Sequence, residues 1–334
     1  MQTINSALEA YIFNRLNAVY APDAIAAKNN LNNDTDKNRN YLGTYFPRTF
    51  VESYNIYYRL FQNQAIYNCY RPKELISILI IGSGTGGDLL GLLQVLNECF
   101  HSKEINIYSF DGNQDALNIQ KQLIRDFYQF MPNRNNRITV YTYPAQFSCV
   151  NDVAESLRIN NIPFIDIMQS FKMCNELYNQ SNDKQVFYQL TALAEQYLSP
   201  NGIFVLEDVT NRNDDQRFNS VVMSDQVRNY FRQNPHSNLR YIIPVCCGKW
   251  YNRCTWSHCL SIVEYRIFHR YAPGEKSKVA YKVMIKQPLG QLLYDSIETK
   301  DAYLLAPRTY CTKDNYLYNQ DFPPCRNVAD PYKL

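Results

Sequence analysis

Four glycines stand within six residues of this chain: Gly82, Gly84, Gly86 and Gly87. The preceding segment, residues 76–81, is short, apolar and β-branched, which is typical of a buried strand. The following segment, residues 89–96, is apolar at helical spacing. Strand, glycine turn and helix together predict a cradle for an anionic or polar ligand. The reason is that glycine lets the backbone come close to a ligand and a helix N-terminus offers free N–H groups.

The glycine turn permits two ligands. Gly82, Gly84 and Gly87 fit the G-x-G-x-x-G pattern of dinucleotide sites, whereas Gly82, Gly84 and Gly86 fit the G-x-G-x-G pattern of S-adenosylmethionine (SAM) sites. Asp111 ends the next predicted strand, 24 residues after Gly87. An acid at this point accepts hydrogen bonds from the ribose hydroxyls of either NAD or SAM. It can also cap the helix that follows.

Strands and helices are predicted to alternate through the middle of the chain. After the first strand, further strands are expected at residues 105–111, 137–143, 163–168 and 203–208, with helices at 114–130, 152–160 and 184–198 between them and a turn at 199–202. This alternation predicts an α/β fold with a doubly wound, mostly parallel sheet. Two helical stretches, 7–16 and 50–67, and a polar loop, 29–40, are expected before it.

These boundaries predict three parts. Residues 1–70 form an N-terminal helical cap, residues 71–210 form the Rossmann-like nucleotide-binding core, and residues 211–334 complete the sheet and carry a cysteine-rich extension.

Several of these features resemble class I SAM-dependent methyltransferases. They are the glycine turn, the acid Asp111, the end of the strand at 163–168, and the Leu-Ser-Pro-Asn-Gly turn at residues 198–202 before the fifth strand. The resemblance implies that SAM is the cofactor. It assigns these cofactor-binding residues: Gly82, Ser83, Gly84, Thr85, Gly86, Asp88, Asp111, Gly112, Asn113, Gln146, Gln169 and Ser170.

Methyl transfer from a sulfonium mainly needs the acceptor to be aligned with the methyl group, and only sometimes a base. The catalytic residue is therefore not marked by a motif. Glu207 and Asp208 end the fifth predicted strand and are the candidates for a base, although Asp208 could equally cap the next turn.

Cysteines crowd the last quarter of the chain. Cys246, Cys247, Cys254 and Cys259 lie with His258 within fourteen residues, and Cys311 follows. Four thiolates suit zinc or an iron–sulfur cluster. The alternative is a set of small buried apolar side chains.

This layout also resembles, more narrowly, the methyltransferase-like proteins of mitochondrial-type small-ribosomal-subunit assembly. The matching pieces are the Asn-Glu-Leu at 175–177, the cysteine-rich segment 247–259, the strand 280–286 and the Cys-Thr at 311–312. The resemblance implies an iron–sulfur cluster. It assigns as ligands Cys247, Cys254, Cys259 and Cys311, with Cys246 and His258 as alternates. The segment Trp256-Ser257-His258-Cys259 only approximates the family's Trp-Cys-His piece.

Charge is unevenly distributed. The net charge is +3, yet residues 212–334 carry 18 Lys and Arg against 11 Asp and Glu. A basic carboxyl-terminal part favours a polyanionic partner, although a solvated surface explains it equally well. The predicted function is SAM-dependent methyl transfer on or near RNA or a ribosomal particle. The alternatives are a SAM-binding assembly factor that transfers no methyl group, and a small-molecule methyltransferase with a helical lid.

Hydropathy predicts no association with a membrane. No apolar run approaches the roughly 20 residues that span a bilayer, and the first residues lack a basic region followed by an apolar one. The expected location is the cytoplasm, and a mitochondrial location stays open.

Overall fold

A computed structural model of the chain describes residues 2–22, 35–180, 182, 184–243 and 262–296. These residues fall into two compact units. The first comprises Met1–Phe61, Tyr70–Phe147 and Tyr265–Ser277; the second comprises Gln62–Cys69, Ser148–Glu264 and Lys278–Leu334. The three-part division expected from sequence stays a prediction.

Helices and strands alternate along most of the described chain. The helices are α1 (Ser6–Ala10), continued by a π-helical turn (Tyr11–Arg15), α2 (Thr35–Thr44), α3 (Phe46–Gln62), α4 (Gln64–Tyr70), α5 (Gly87–Cys99), α6 (Gln114–Arg125), α7 (Val150–Ile159), α8 (Cys174–Gln180), α9 (Val186–Tyr197), α10 (Asn219–Gln233) and α11 (Leu289–Ser296). The strands are β1 (Gln2–Thr3), β2 (Leu75–Ile81), β3 (Glu104–Asp111), β4 (Arg137–Pro144), β5 (Ile165–Phe171), β6 (Leu198–Val209), β7 (Leu239–Ile243), β8 (Ile262–His269) and β9 (Ala272–Lys286).

The first unit is built on three parallel strands, β2, β3 and β4. Leu75 lies opposite Glu104, and Glu104 lies opposite Arg137, so the three strands run in register from their amino ends. From Ile76 onward every residue of β2 is buried, as expected for a strand covered on both faces. The two-residue strand β1 pairs in parallel with β8 in the same unit.

Two glycines let α3 and α5 cross at very short range. A Cβ atom at Gly91 would lie only 2.4 Å from the carbonyl oxygen of Phe50, and one at Gly87 only 2.2 Å from Oγ1 of Thr49. Any larger side chain would therefore force the helices apart, since protein interiors have no free volume to absorb it. Gly87 thus serves helix packing.

The second unit is also a layered α/β structure. β5 and β6 are parallel, β6 pairs with β9 in antiparallel fashion, and β9 pairs with β7 in the same way. Every residue of β5 is buried, including the polar Asp166, Gln169 and Ser170, as expected for a strand covered on both faces. The prediction of a mostly parallel, Rossmann-like α/β fold is confirmed.

Three local predictions are wrong. Of the polar segment expected as a loop at 29–40, residues 35–40 are helical and belong to α2, and residues 29–34 lie outside the described residues. The helix expected at 50–67 is interrupted at Asn63, whose side chain accepts hydrogen bonds from the backbone of Ala65 and Ile66 and starts α4. Local side-chain capping outweighs continuous helical spacing at this point.

The turn expected at 199–202 lies inside β6. Asn201 adopts the left-handed φ of +69°, which asparagine tolerates better than most residues. The pairing of β5 with β6 is irregular here, between Ile165 and Ile167. The turn signal in the sequence therefore marks an irregularity within a strand.

Of the helices that the structure describes, none has both the length and the apolar character needed to cross a membrane.

Candidate functional site

The backbone of the glycine turn takes the G-x-G-x-G form. Gly82, Gly84 and Gly86 have φ values of +75°, +50° and +84°, the left-handed region that strongly favours glycine. The turn joins the end of β2 to the start of α5, with Gly86 at the N-cap position. The first N–H groups of α5 have no partner within the helix, so this end of α5 favours an anionic or polar group.

Asp111, at the end of β3, is hydrogen-bonded to this turn. Its Oδ2 accepts from the backbone N–H of Gly84 at 2.7 Å, and its Oδ1 accepts from that of Asn113 at 2.8 Å. Burial raises the pKa of Asp111, while these two N–H groups act in the opposite direction. A carboxylate has about four acceptor sites, so two remain for the hydroxyls of a ligand.

The side chain of Asn113 is engaged within the protein. Its Oδ1 caps α6 by accepting from the backbone N–H of Ala116 at 3.0 Å, and its Nδ2 donates to Oδ1 of Asn38 at 3.0 Å. Asn38 is buried and belongs to α2. This amide pair therefore links α2 to the N-cap of α6, two residues after Asp111.

The space in front of Gly84 is bounded by Tyr41 of α2. A Cβ atom built on Gly84 would meet only Cε1 of Tyr41, at 3.5 Å. Tyr41 packs in turn against Tyr45, with ring centroids 4.8 Å apart. Sequence reasoning missed Asn38 because it lies in the segment 29–40 that was expected to be a loop, and it missed Tyr41 because this residue, directly after that segment, was assigned to no element. The i, i+4 spacing of Tyr41 and Tyr45 was the available sign of a helix face.

Two buried polar groups border the turn without a hydrogen-bond partner among the described residues. They are Oγ of Ser83 and the side-chain amide of Gln120 on α6. A Cβ atom at Gly86 would lie 2.8 Å from Cγ of Gln120, which places this amide directly beside the turn. Buried polar groups that lack partners are costly, so their presence fits a site that receives a polar ligand. Gln120 was not predicted.

The other cofactor candidates of the first unit differ in accessibility. Thr85 is buried in the glycine turn, and Asp88 is buried in the first turn of α5. Gly112 is half-buried beside Asp111, whereas Gln146 is exposed in the segment after β4. Of these, only Gln146 is placed where a ligand would reach it freely from solvent.

Gln169 and Ser170 lie in the second unit, fully buried in β5. Oγ of Ser170 lies 3.6 Å from Sγ of Cys174. Burial raises the pKa of the Cys174 thiol well above its ordinary value, so the thiol is protonated at neutral pH. A buried, protonated thiol is a poor nucleophile.

Asp208 is a second-unit carboxyl group with a raised pKa. It is fully buried near the carboxyl end of β6, and its oxygens accept hydrogen bonds from the backbone N–H groups of Asn175 (2.8 Å) and Val209 (2.7 Å). Burial raises its pKa to about 7 against the opposing effect of these bonds. The neighbouring candidate, Glu207, is also fully buried.

The predicted metal ligands, Cys246, Cys247, Cys254, His258, Cys259 and Cys311, lie outside the described residues. Within the part of the chain that is described, no three His, Cys, Asp or Glu side chains are grouped so that they could hold a metal ion.

Comparisons with known proteins give fold resemblance at low similarity. No protein-family model and no curated protein matches the chain. Among solved structures, a class I SAM-dependent methyltransferase from Listeria monocytogenes superposes with a TM-score of 0.38 at 10% identity, covering 72% of this chain and 60% of that one. An O-methyltransferase from Bacillus cereus in complex with SAH has a TM-score of 0.36 at 11% identity, covering 72% of this chain and 91% of that one. An rRNA methylase from Streptococcus thermophilus has a TM-score of 0.34 at 10% identity, covering 68% of this chain and 95% of that one.

By their descriptions these neighbours are a class I SAM-dependent methyltransferase, an O-methyltransferase and an rRNA methylase, and this chain spans about 60% of the length of the Listeria protein. These TM-scores and sequence identities are too low to assign the chain to a family. The narrower resemblance to the ribosome-assembly proteins stays a prediction.

Proposed function

We propose that this chain binds SAM at the glycine turn and Asp111 and transfers its methyl group to RNA. The observation that supports the cofactor is the 2.7 Å bond between Gly84 and Asp111, since it joins the two motifs of a nucleoside site. The pattern of left-handed glycines agrees with the SAM form of that site.

The glycines of the turn, Asp111 and Tyr41 have separate tasks in this proposal. The residues Gly82, Gly84 and Gly86 keep the backbone free of side chains where the cofactor approaches. The remaining acceptor sites of Asp111 take the ribose hydroxyls. Tyr41 bounds the space on the side of α2. The other predicted contacts, from Ser83 through Ser170, stay proposals.

SAM, when bound, supplies an electrophilic methyl group. The protein then needs to orient the acceptor and, for an acceptor that carries a proton, to remove that proton. Asp208 suits this second task because a group with a pKa of about 7 can both take and release a proton at neutral pH. Glu207 is the alternative base.

A pair of matched glycine substitutions tests the cofactor site. Gly84 and Gly274 both have left-handed φ values, and an added Cβ atom would meet only an aromatic ring, at 3.5 Å and 3.6 Å. Gly84→Val should abolish SAM binding measured by titration calorimetry, since its side chain occupies the cofactor's space. Gly274→Val carries similar backbone strain and should retain binding. Equal SAM affinity in both variants would refute the assignment.

Methyl-label transfer to fractionated cell extract tests the acceptor. Label in nuclease-sensitive material supports RNA, in keeping with the basic surplus of residues 212–334. Label in a low-mass, nuclease-resistant product would indicate a small-molecule methyltransferase. Tight SAM binding without transfer would indicate an assembly factor.

The proposal extends to a metal or iron–sulfur cluster held by Cys247, Cys254, Cys259 and Cys311, or by Cys246 or His258 in place of one of them. Its support is the clustering of soft ligands in the sequence. Iron and zinc content of the purified protein should fall in Cys254→Ser, whereas Cys149→Ser, at a half-buried free cysteine, should leave it unchanged. A wild-type protein without either metal contradicts this part.

A further inference from the structure

One face of the β3–β4 edge is aromatic. Residues 137, 139, 141 and 143 of β4 point to the same side because side chains alternate along a strand. On β3 their direct partners are residues 104, 106, 108 and 110. The face therefore carries, in cross-strand pairs, Arg137 with Glu104, Thr139 with Asn106, Tyr141 with Tyr108, and Tyr143 with Phe110.

The aromatic pairs on this face are stacked. Tyr108 and Tyr141 have ring centroids 5.4 Å apart and planes inclined by 16°; for Phe110 and Tyr143 the values are 4.5 Å and 17°. Among the described strands β4 pairs only with β3. The outer sides of Tyr141 and Tyr143 therefore have no strand beside them.

Tyr141 is accessible, with 44% of its surface exposed, and Tyr108 and Tyr143 are half-buried. These rings offer flat aromatic surfaces on which bases can stack. Consecutive rings on one face of a strand lie about 7 Å apart, from a rise of about 3.3 Å per residue. An extended single strand of nucleic acid can match such a spacing with successive bases.

Basic residues border the amino end of the same strands. The segments 70–75, 101–104 and 133–137 lie together, because the backbone N–H of Ser102 donates to the carbonyl of Arg134 and Nζ of Lys103 donates to that of Arg71. Five cations stand in these segments against the two acids Glu74 and Glu104. The cations are Arg71, Lys73, Lys103, Arg134 and Arg137. Of these, Arg71, Arg134 and Arg137 are exposed.

We infer that the β3–β4 face binds single-stranded RNA, with Tyr141 and Tyr143 stacking on bases and the basic border contacting phosphates. Stacking and positive charge are the two components that single-strand binding combines. Thr139 and Asn106 form the cross-strand pair between Arg137 and Tyr141, and they add hydrogen-bonding groups there. The inference rests on the proposed function for the choice of RNA over other single strands. The face borders the glycine turn, since the carbonyl of Phe110 accepts backbone hydrogen bonds from Gly82 and Ser83.

A single strand fits better than a duplex, because paired bases cannot stack on a side chain. It also fits better than an apolar peptide, because a peptide would leave the basic border without opposite charge.

The test compares two exposed tyrosines. Tyr58 on α3 is the matched control: it is 37% exposed and also belongs to a stacked tyrosine pair, with Tyr54 at 5.6 Å. The full chain is titrated into a fluorescein-labelled 12-nucleotide oligouridylate, and anisotropy is measured. Tyr141→Ala should weaken binding about 5- to 150-fold, and Tyr58→Ala should leave it unchanged. Arg137→Gln should weaken binding and reduce its salt dependence.

Three binding results would overturn the inference. The first is a wild-type dissociation constant above about 100 µM, at the weak limit of non-specific binding. The second is equal affinity of the two tyrosine variants, and the third is equal affinity of the protein for the oligouridylate paired with its complementary strand. A change in oligomeric state of Tyr141→Ala without a loss of RNA affinity would likewise overturn it, since it would indicate a protein partner. An oligodeoxyuridylate of the same length shows whether RNA is preferred to DNA, and equal affinity for it would overturn the choice of RNA.

Measuring SAM affinity in the same variants separates the two proposals. If Tyr141→Ala loses RNA and keeps SAM, the surface assignment holds whatever the fate of methyl transfer. If Gly84→Val loses SAM and keeps RNA, the cofactor site holds independently. A protein that binds RNA through Tyr141 but never binds SAM would refute the proposed function and leave the surface intact.

Discussion

The carboxylate of Asp111 and the backbone N–H of Gly84 are joined by a hydrogen bond of 2.7 Å. Asp111→Asn replaces one acceptor oxygen with a donor, so either Gly84 or Asn113 loses its acceptor and faces an N–H instead. The amide is also a weaker acceptor than the carboxylate for the ribose hydroxyls, and a hydrogen bond to a charged group contributes roughly 1.5–3 kcal/mol. We expect SAM affinity to fall about 10- to 150-fold, measured by calorimetry. The exposed Asp115→Asn, four residues along, should change it little.

Tyr41 is expected to contribute to the same pocket through its ring. Tyr41→Phe keeps the ring that lies 3.5 Å from the Cβ position of Gly84, and Tyr41→Ala removes it. SAM affinity should be nearly retained in the first variant and fall roughly 10-fold in the second, in line with about 1.4 kcal/mol for a lost aromatic contact. Equal affinities in wild type and Tyr41→Ala would place the cofactor elsewhere.

Gly91 is expected to be intolerant of any side chain. In Gly91→Ala the new methyl group would meet the Phe50 carbonyl oxygen at 2.4 Å and the Tyr54 nitrogen at 2.8 Å, both backbone atoms. Overpacking of this kind costs about 1–3 kcal/mol or more. Urea denaturation should show that loss. Gln94→Ala in the same helix adds no atom to the crossing and should cost less.

Glu275 should make the protein sensitive to acid. Burial opposes its ionisation, but the nearby imidazole of His269, whose Nε2 lies 3.9 Å from Oε2 of Glu275, and the hydrogen bond from Arg48 outweigh this and lower its pKa from 4.5 to about 2. A lowered carboxyl pKa stabilises the fold above the ordinary pKa, and this contribution disappears as the pH falls from about 4.5 towards 2.

Glu275→Gln should therefore reduce the free energy of unfolding at pH 7 by roughly 2–3 kcal/mol and flatten its fall below pH 4.5. Denaturant titrations at several pH values measure both effects. Glu264→Gln, at a half-exposed ion pair with Lys278, should reproduce neither.

Asp208 should have the opposite pH dependence. Its pKa is raised from 3.8 to about 7, so the folded protein holds a proton that the unfolded chain releases. The corresponding stability is complete below about pH 4 and is lost as the pH rises to about 7. Asp208→Asn should remove this slope, and the exposed Asp214→Asn should retain it. If Asp208 is the base, the same variant also loses methyl transfer while keeping SAM affinity.

The sequence by itself determined the order of strands and helices in the α/β core. The buried strand β2 is a short, mainly apolar run, and the glycine turn is a local signal, so both can be predicted without tertiary information. The end of β3 at Asp111 was also evident from local pattern.

Only the tertiary structure decided how these pieces are used. The bond from Gly84 to Asp111 spans 27 residues, and the approach of Gly91 to α3 depends on a helix forty residues earlier. The contacts that Asn38 and Tyr41 of α2 make with Asn113 and the glycine turn were not predicted. The reason is that a polar, asparagine-rich segment has weak intrinsic helical preference, and most helical stability comes from packing. The aromatic face appears only when β3 and β4 pair, since neither strand alone shows that its tyrosines stack. These contacts join residues that lie far apart in the sequence, and no local sequence pattern encodes them.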